Sequence, residues 1–472
     1  MSVFSRAPFL ALLIAAALGA GSAEAAGPDP TPSAAPAMDM SGMTYNANGV
    51  LSMFGMAKSG MHMDMSTTDP ALMSSFSDIG TPMSQEGSGT SWMPESSTVY
   101  AHMWGRGDDM EMTHGAIFVR YTDTFTPRGT RRINVPDWFM YMRTHSTSPA
   151  TQVGFSAMLS TDFLGVNTGY PLLFQTGESL YGQPLHDVQH PHDLFSELAV
   201  SYSGQLSRNA SAYVYLGYPG EPALGPPVFM HRELGYDYAP APIGHHWQDA
   251  THIQFGVITA GLAGTKFKLE SSTFTGREPN EIRTNFDPIH LDSYSTRLSW
   301  NPNRYVAAQV SYGYINSPEA LDPSVNVHRT TASIIYERPL GFDAFWTQTF
   351  VWGQNLDLPG TRSNSFLYET EYRRNGNGIF ARLEPIQKSG SELVLAAPMA
   401  NALFDIGSYS LGFIHDLPHA PGRTVLGLGL ALTYNAKPAS LSAYYGSGNP
   451  ISFDIYVRAR PFALIGQDTL QP

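Results

Sequence analysis

The feature that most constrains this chain is a succession of runs, each about ten residues long, in which apolar side chains alternate with small or polar ones. A period of two puts successive side chains on opposite faces of a strand. In 424–435, Leu426, Leu428, Leu430, Leu432 and Tyr434 form one face and Gly427, Gly429 and Ala431 the other. In 364–374, Phe366, Tyr368 and Tyr372 oppose Glu369, Glu371 and Arg373; in 291–300, Tyr294, Leu298 and Trp300 oppose Ser295, Arg297 and Ser299. The pattern predicts strands at 113–121, 135–142, 151–160, 194–203, 208–217, 250–261, 265–275, 291–300, 303–314, 325–337, 342–354, 364–374, 377–388, 404–415, 424–435 and 451–461.

The links sharpen this all-β reading. Asn301-Pro302, Pro339-Leu340-Gly341, Asn375-Gly376 and Leu262-Ala263-Gly264 carry the chemistry of tight hairpins. Long polar links lie between them at 161–193, 218–249, 276–290, 315–324 and 389–403. A soluble sandwich has no reason to alternate short and long links, whereas an outer-membrane barrel has short periplasmic turns and longer outer loops. Strands near ten residues suit a tilted crossing, and Trp300, Tyr305, Tyr314 and Trp352 fall near strand ends as interfacial aromatics do. The expectation is an antiparallel transmembrane β-barrel of about sixteen strands, within two either way, with both termini periplasmic. It would lie in the outer membrane of a Gram-negative bacterium, in contact with lipid and potentially as a homotrimer.

Residues 1–25 read as a secretory signal, with Arg6, an apolar stretch from Ala7 to Leu18 and Ala23-Glu24-Ala25 before the cleavage point. Residues 26–96, rich in Ala, Pro, Gly, Ser and Met, are expected to be a disordered periplasmic segment. Residues 97–112 then form a lead-in, 113–462 the barrel and 463–472 a tail. Forty acidic residues against 27 basic ones, with no basic block, argue against a nucleic-acid partner. With no cysteine there is no thiolate metal site and no cysteine nucleophile.

Methionine is the compositional anomaly. Fourteen of the 20 lie between Met38 and Met112, several as M-x-M: Met38-Asp39-Met40, Met61-His62-Met63-Asp64-Met65 and Met110-Glu111-Met112. Thioethers are soft, neutral ligands suited to Cu(I), and in an extended chain M-x-M turns two sulfurs to one side. Met38, Met40, Met43, Met61, His62, Met63 and Met65 are the metal ligands expected there, with copper or silver as the ion. Met103, Met110 and Met112 also fit a packed strand pair leading into the barrel.

The signal, the leader with Met38 to Met43 and Met61 to Met65, and the C-terminal barrel together resemble copper-resistance outer-membrane protein B. That resemblance covers about 70 residues, and implies copper binding or sequestration at the outer membrane. This chain differs in having His62 as its one histidine before His102.

Histidines cluster as His186-Asp187-Val188-Gln189-His190-Pro191-His192-Asp193 and Gly244-His245-His246-Trp247, each closing a long link, with His231 and His252 nearby. His186, His190, His192, His245 and His246 are either a second metal site or a hydrogen-bonded loop network with Asp partners. Arg297, Arg329, Glu337, Glu369, Glu371, Arg373, Arg382 and Glu384 fall on inward faces, and their mixed signs favour pairing over ion selection. No G-x-S-x-G, H-E-x-x-H or P-loop is present, and in His192-Asp193 and His415-Asp416 adjacent residues point opposite ways. We therefore expect no catalytic residues and no cofactor beyond a copper ion as ligand. The expected function is copper or silver binding or passage in metal tolerance. A general or solute-specific porin with an incidental leader is the alternative, and a barrel hydrolase the third reading.

Overall fold

The computed structural model describes residues 44–45, 51–52, 62–64, 70, 73–165, 168–341, 344–418 and 424–462. Sixteen antiparallel strands close into a barrel. They are β1 (Asp109–Thr124), β2 (Asp137–Ser148), β3 (Thr151–Leu159), β4 (Phe195–Ser207), β5 (Ala210–Gly217), β6 (Val257–Gly264), β7 (Phe267–Phe274) and β8 (Ser293–Asn303). There follow β9 (Val306–Ile315), β10 (Asn326–Gly341), β11 (Ala344–Leu358), β12 (Thr361–Arg374), β13 (Asn377–Ser389), β14 (Leu403–Asp416), β15 (Val425–Ala436) and β16 (Ile451–Arg460). Closure is the pairing of β16 with β1, from Ser452 opposite Thr124 to Ala459 opposite Ile117. Each expected strand has its counterpart.

Boundaries moved where local signals compete. The strand expected from 250 begins at Val257, because 250–256 belongs to a loop that turns inward and leaves at Gly256 with φ +67°. The barrel starts at Asp109 rather than 113, since Asp109–Thr113 pairs with His102–Arg106 as a hairpin. Asn301-Pro302, Pro339-Leu340-Gly341 and Leu262-Ala263-Gly264 lie in strand ends instead of links. Asn375-Gly376 is the tight link expected, both residues having positive φ. One outer link, 359–360, is short where the alternation called for a long one.

The outer surface is the part that meets lipid. Along β15 the exposed Leu426, Leu428, Leu430, Leu432 and Tyr434 alternate with buried Val425, Gly427, Gly429 and Ala431. Val119, Val200, Leu262, Leu298, Val310, Ile334, Phe350 and Ile455 continue that apolar exterior on other strands. Water would penalise such a surface; hydrocarbon does not, and closure leaves no unpaired strand edge. This is the architecture of an outer-membrane β-barrel. Placing a charge at mid-strand, as in Leu430→Arg, is expected to destabilise it by about 2–4 kcal/mol in urea unfolding from lipid vesicles, while Ala431→Ser on the opposite face should change little.

Two segments fill the interior. Residues 73–101 run along the wall close to the short-link ends of the strands. Ser74 Oγ donates to Gln152 Oε1 at 3.0 Å, Ile79 N to Ser203 Oγ at 2.9 Å and Ser211 Oγ to Asp78 Oδ2 at 2.9 Å. Farther on, Arg297 Nη2 donates to Thr90 Oγ1 at 3.1 Å, Asn301 Nδ2 to Met93 O at 2.9 Å and Thr98 N to Glu337 Oε1 at 2.9 Å. The unstructured leader expected to reach residue 96 therefore gives way to an interior plug from residue 73. Its Ser, Thr and backbone groups satisfy polar groups that a lumen wall must expose. Residues 1–43 and Met61 and Met65 lie outside the described residues, as do 463–472.

The second segment is the link 218–256 between β5 and β6, buried almost throughout. Its prolines offer carbonyl oxygens and no N–H. Pro227 O accepts from Arg232 Nη1 at 2.9 Å and Pro240 O from Arg382 Nη1 at 2.5 Å. Ile243 N donates to Glu384 Oε2 at 2.5 Å, and Trp247 Nε1 to Ser363 Oγ at 2.7 Å. All eight inward charges anticipated from alternation are buried. Their partners come largely from this loop, the plug or other wall residues: Arg297 pairs with Glu270, Glu369 with Arg232 and Arg382, and Arg373 with Asp237 and Asp416.

Candidate metal centre among the outer loops

Three long links converge at one mouth of the barrel: 160–194, 218–256 and 275–292. Each brings one ligand-type side chain to a common point. Glu178, His246 and Glu278 hold one ligand atom apiece within 4.8 Å of one another. His246 Nε2 lies 3.4 Å from Glu178 Oε1, and its Nδ1 lies 3.7 Å from Glu278 Oε1. His190 Nε2 sits 2.8 Å from the same Glu178 Oε1. Beside them is a small pocket lined by Glu178, His190, Asp193, His245, His252 and Glu278, among others.

Local sequence explains the placement. His245–Gln248 is a single helical turn, capped by Asp249, whose Oδ1 is 2.7 Å from His245 Nδ1. Asp249 Oδ2 accepts from Arg232 Nη1 at 2.7 Å, and Arg232 Nε donates to Glu369 Oε2 at 2.8 Å. The turn is thus fixed to β12 through a chain of buried charges. Gly177 lets Glu178 approach: at φ +104° it occupies a conformation side chains rarely adopt, and a Cβ there would lie 2.5 Å from His246 Nδ1.

The electrostatics are those of a proton held among buried carboxylates. Burial opposes the His246 imidazolium, but Glu278 and Glu178 outweigh it and push its pKa up to about 9. Burial raises Glu278 to about 7 against the pull of His246. Glu178 is held well below the usual carboxylate range, because His190 and His246 overcome its burial. His190, pushed down to about 4 mainly by burial, stays neutral. A neutral imidazole beside carboxylates is a ligand set for a borderline divalent ion. One buried ring nitrogen, His190 Nδ1, makes no hydrogen bond, and His246 Nε2 has only its 3.4 Å approach to Glu178 Oε1. The donors are of a type that can hold a metal ion, while His190–Glu178, His192–Asp162 and His245–Asp249 form pairs of the His–carboxylate network that was the other expectation.

The histidines singled out from sequence separate into groups. His190, His245 and His246 line or join the cluster. His192 stands at its edge, with Nδ1 3.0 Å from Asp162 Oδ2 and its ring 5.7 Å from that of His252. His186 turns away, pairing with Asp187 at 2.7 Å and remaining about a third exposed (34%). Of the leader ligands, Met38, Met40, Met43, Met61 and Met65 lie outside the described residues. The backbone of His62 and Met63 pairs with Arg106 and Gly105. Glu178 and Glu278 were missed; each follows Thr-Gly in a loop, as Thr176-Gly177-Glu178 and Thr275-Gly276-Arg277-Glu278, a weak signal. His252 was noted only as a neighbour. Of the dipeptides with catalytic composition, His415-Asp416 is split by strand alternation, Asp416 lying inside with Arg373 and His415 Nδ1 outside, 3.0 Å from Asn377 Oδ1, whereas His192 and Asp193 are both buried ahead of β4 and pair separately with Asp162 and Arg283.

Among known proteins, no family and no curated sequence matches this chain. It is similar to solved porin structures. The anion-selective porin of Comamonas acidovorans aligns at 12% identity and TM-score 0.46, over 75% of this chain and 99% of that one. The outer membrane channel DcaP of Acinetobacter baumannii aligns at 7% identity and TM-score 0.43, over 75% and 97%. In-vitro folded OmpT of Vibrio cholerae, in its trimer form, aligns at 8% identity and TM-score 0.43, over 74% and 99%.

Proposed function

We propose that this outer-membrane barrel binds copper, or silver, and passes it across the membrane in metal tolerance. The convergence of Glu178, His246 and Glu278 from three separate loops, with His190 beside them, carries the reading. Carboxylate and imidazole donors suit Cu(II) at this mouth, and thioethers suit Cu(I) or Ag(I). The leader methionines, from Met38 to Met65, would capture the ion on the periplasmic side, as the resemblance to copper-resistance outer-membrane protein B implies. The proposed assembly is a homotrimer, to be read from the mass of the detergent-solubilised protein.

Titrating Cu(II) into the mature protein in detergent tests the site. His246→Ala and Glu278→Gln are each expected to weaken one binding event by at least the roughly 10–100-fold that loss of an outer partner costs. Unchanged affinity in both would sink the proposal. Cation binding here must displace the His246 proton, so affinity should rise about tenfold per pH unit from 7 towards 9 and then level off. Below pH 7 the slope steepens as Glu278 also gains a proton.

A porin for small solutes is the second reading. It is favoured by a pocket in the lumen bounded by Arg120, Tyr238, Arg382, Glu384 and Asp454 among others. Conductance independent of Cu(II) in planar bilayers would favour it.

A further inference from the structure

The lumen wall is built from Ser, Thr, Arg and Glu on most strands, as in Ser295, Arg297 and Ser299 of β8 or Glu369, Glu371 and Arg373 of β12. Where β1, β2 and β3 meet it is different. Met103 is directly opposite Met112, and Met112 is directly opposite Met142. In the next inward row His114 is opposite Met140, and Met140 opposite Met158. All six are buried. Paired residues share a face with Cβ atoms about 4.5–5.5 Å apart, so thioethers on three flexible torsions reach one another readily.

We infer that this methionine–histidine grid is a second metal site, selective for a soft monovalent ion, Cu(I) or Ag(I). Soft thioether donors favour such ions over divalent ones, and they bind without losing a proton. His114 supplies the nitrogen. Its Nδ1 is 3.2 Å from Tyr236 Oη, while Nε2 is buried and makes no hydrogen bond. A buried nitrogen without a hydrogen-bond partner, beside thioethers, is open to a metal ion. The plug closes the neighbourhood: the backbone oxygen of Phe76 lies 2.1 Å from where a Cβ on Gly154 would stand, opposite Thr144 one row away. The burial of all six side chains keeps water off a site that needs no charged ligand.

The inference deepens the copper and silver reading but is independent of the loop cluster. Ag(I), and Cu(I) under reducing conditions, would be titrated into the full mature protein against a competing chelator. Met112→Leu/Met142→Leu nearly conserves volume, so the barrel should keep its heat-modifiable mobility. We expect that variant to bind one equivalent fewer than the wild type, with the remaining leader equivalents unchanged and Cu(II) binding intact. His246→Ala should show the reverse, losing Cu(II) and keeping the soft-ion equivalent. In wild-type protein carrying 13C-methyl methionine, the Met112 and Met142 resonances should shift on addition of Ag(I). Equal stoichiometry in the double variant, or methyl resonances that stay in place, would overturn the site whether or not the loop cluster binds Cu(II).

Discussion

Deleting residues 73–96 is expected to raise single-channel conductance several-fold while the barrel remains folded. A closed barrel of 16 to 18 strands is wide enough for an aqueous channel unless something occupies it. Here the plug lies against Gln152, Ser203, Ser211, Arg297, Asn301 and Glu337, a path round much of the wall. Once it is gone, water can hydrate those groups, so their loss of partners need not unfold the strands. Arg297 keeps Glu270 at 3.0 Å. The hairpin from His102 is untouched. Conductance in planar bilayers, with heat-modifiable migration as the check on folding, measures the result. An unchanged trace from a folded variant would mean that the loop 218–256 alone closes the lumen.

Asp237→Asn should have the largest effect on stability. Asp237 is the loop's carboxylate in a buried knot with Arg373 of β12, Asp416 of β14 and Arg458 and Arg460 of β16. Arg458 Nη2 lies 2.7 Å from Asp237 Oδ1 and 2.6 Å from Asp416 Oδ1, and Arg460 Nη2 lies 3.2 Å from Asp416 Oδ2. Arg373 bonds both aspartates. Neutralising Asp237 leaves three guanidinium groups with Asp416 as their closest carboxylate. Breaking a buried pair from one side typically costs about 3–5 kcal/mol, and denaturant unfolding from vesicles reads it. A loss below about 1 kcal/mol would mean that water reaches the knot as it reaches surface pairs. Burial alone would raise the Asp237 pKa, but the three arginines outweigh it and hold it below the ordinary aspartate value. A depressed folded-state pKa contributes stability above the unfolded value of about 3.9 and loses it as pH falls further. Wild type and variant should therefore keep a constant gap from pH 5 to 8, and the gap should close only in strong acid.

The strands were legible because alternation is a local property. Leu426 to Tyr434 and Tyr294 to Trp300 face lipid by period alone, and Arg297, Glu369 and Arg373 face the lumen for the same reason. The M-x-M argument was legible too: Met110 and Met112 do lie on one face, buried together. Pairing across the barrel was not. Nothing near Met112 in the sequence announces Met142, and nothing near Glu369 announces Arg232.

The sequence by itself thus determined a closed sheet, its strand order and the face each residue presents, because a period of two and a hairpin link act within a few residues of each other. Only the tertiary structure decided what fills the barrel and which ligands meet. Residues 73–101 and 218–256 carry no periodic signal. Their conformations are set by the donors and acceptors of a wall that exists only after closure, such as Gln152 for Ser74 and Arg382 for Pro240. Glu178, His246 and Glu278 likewise become neighbours through three loops whose bases the barrel holds together, and no spacing along the chain encodes that.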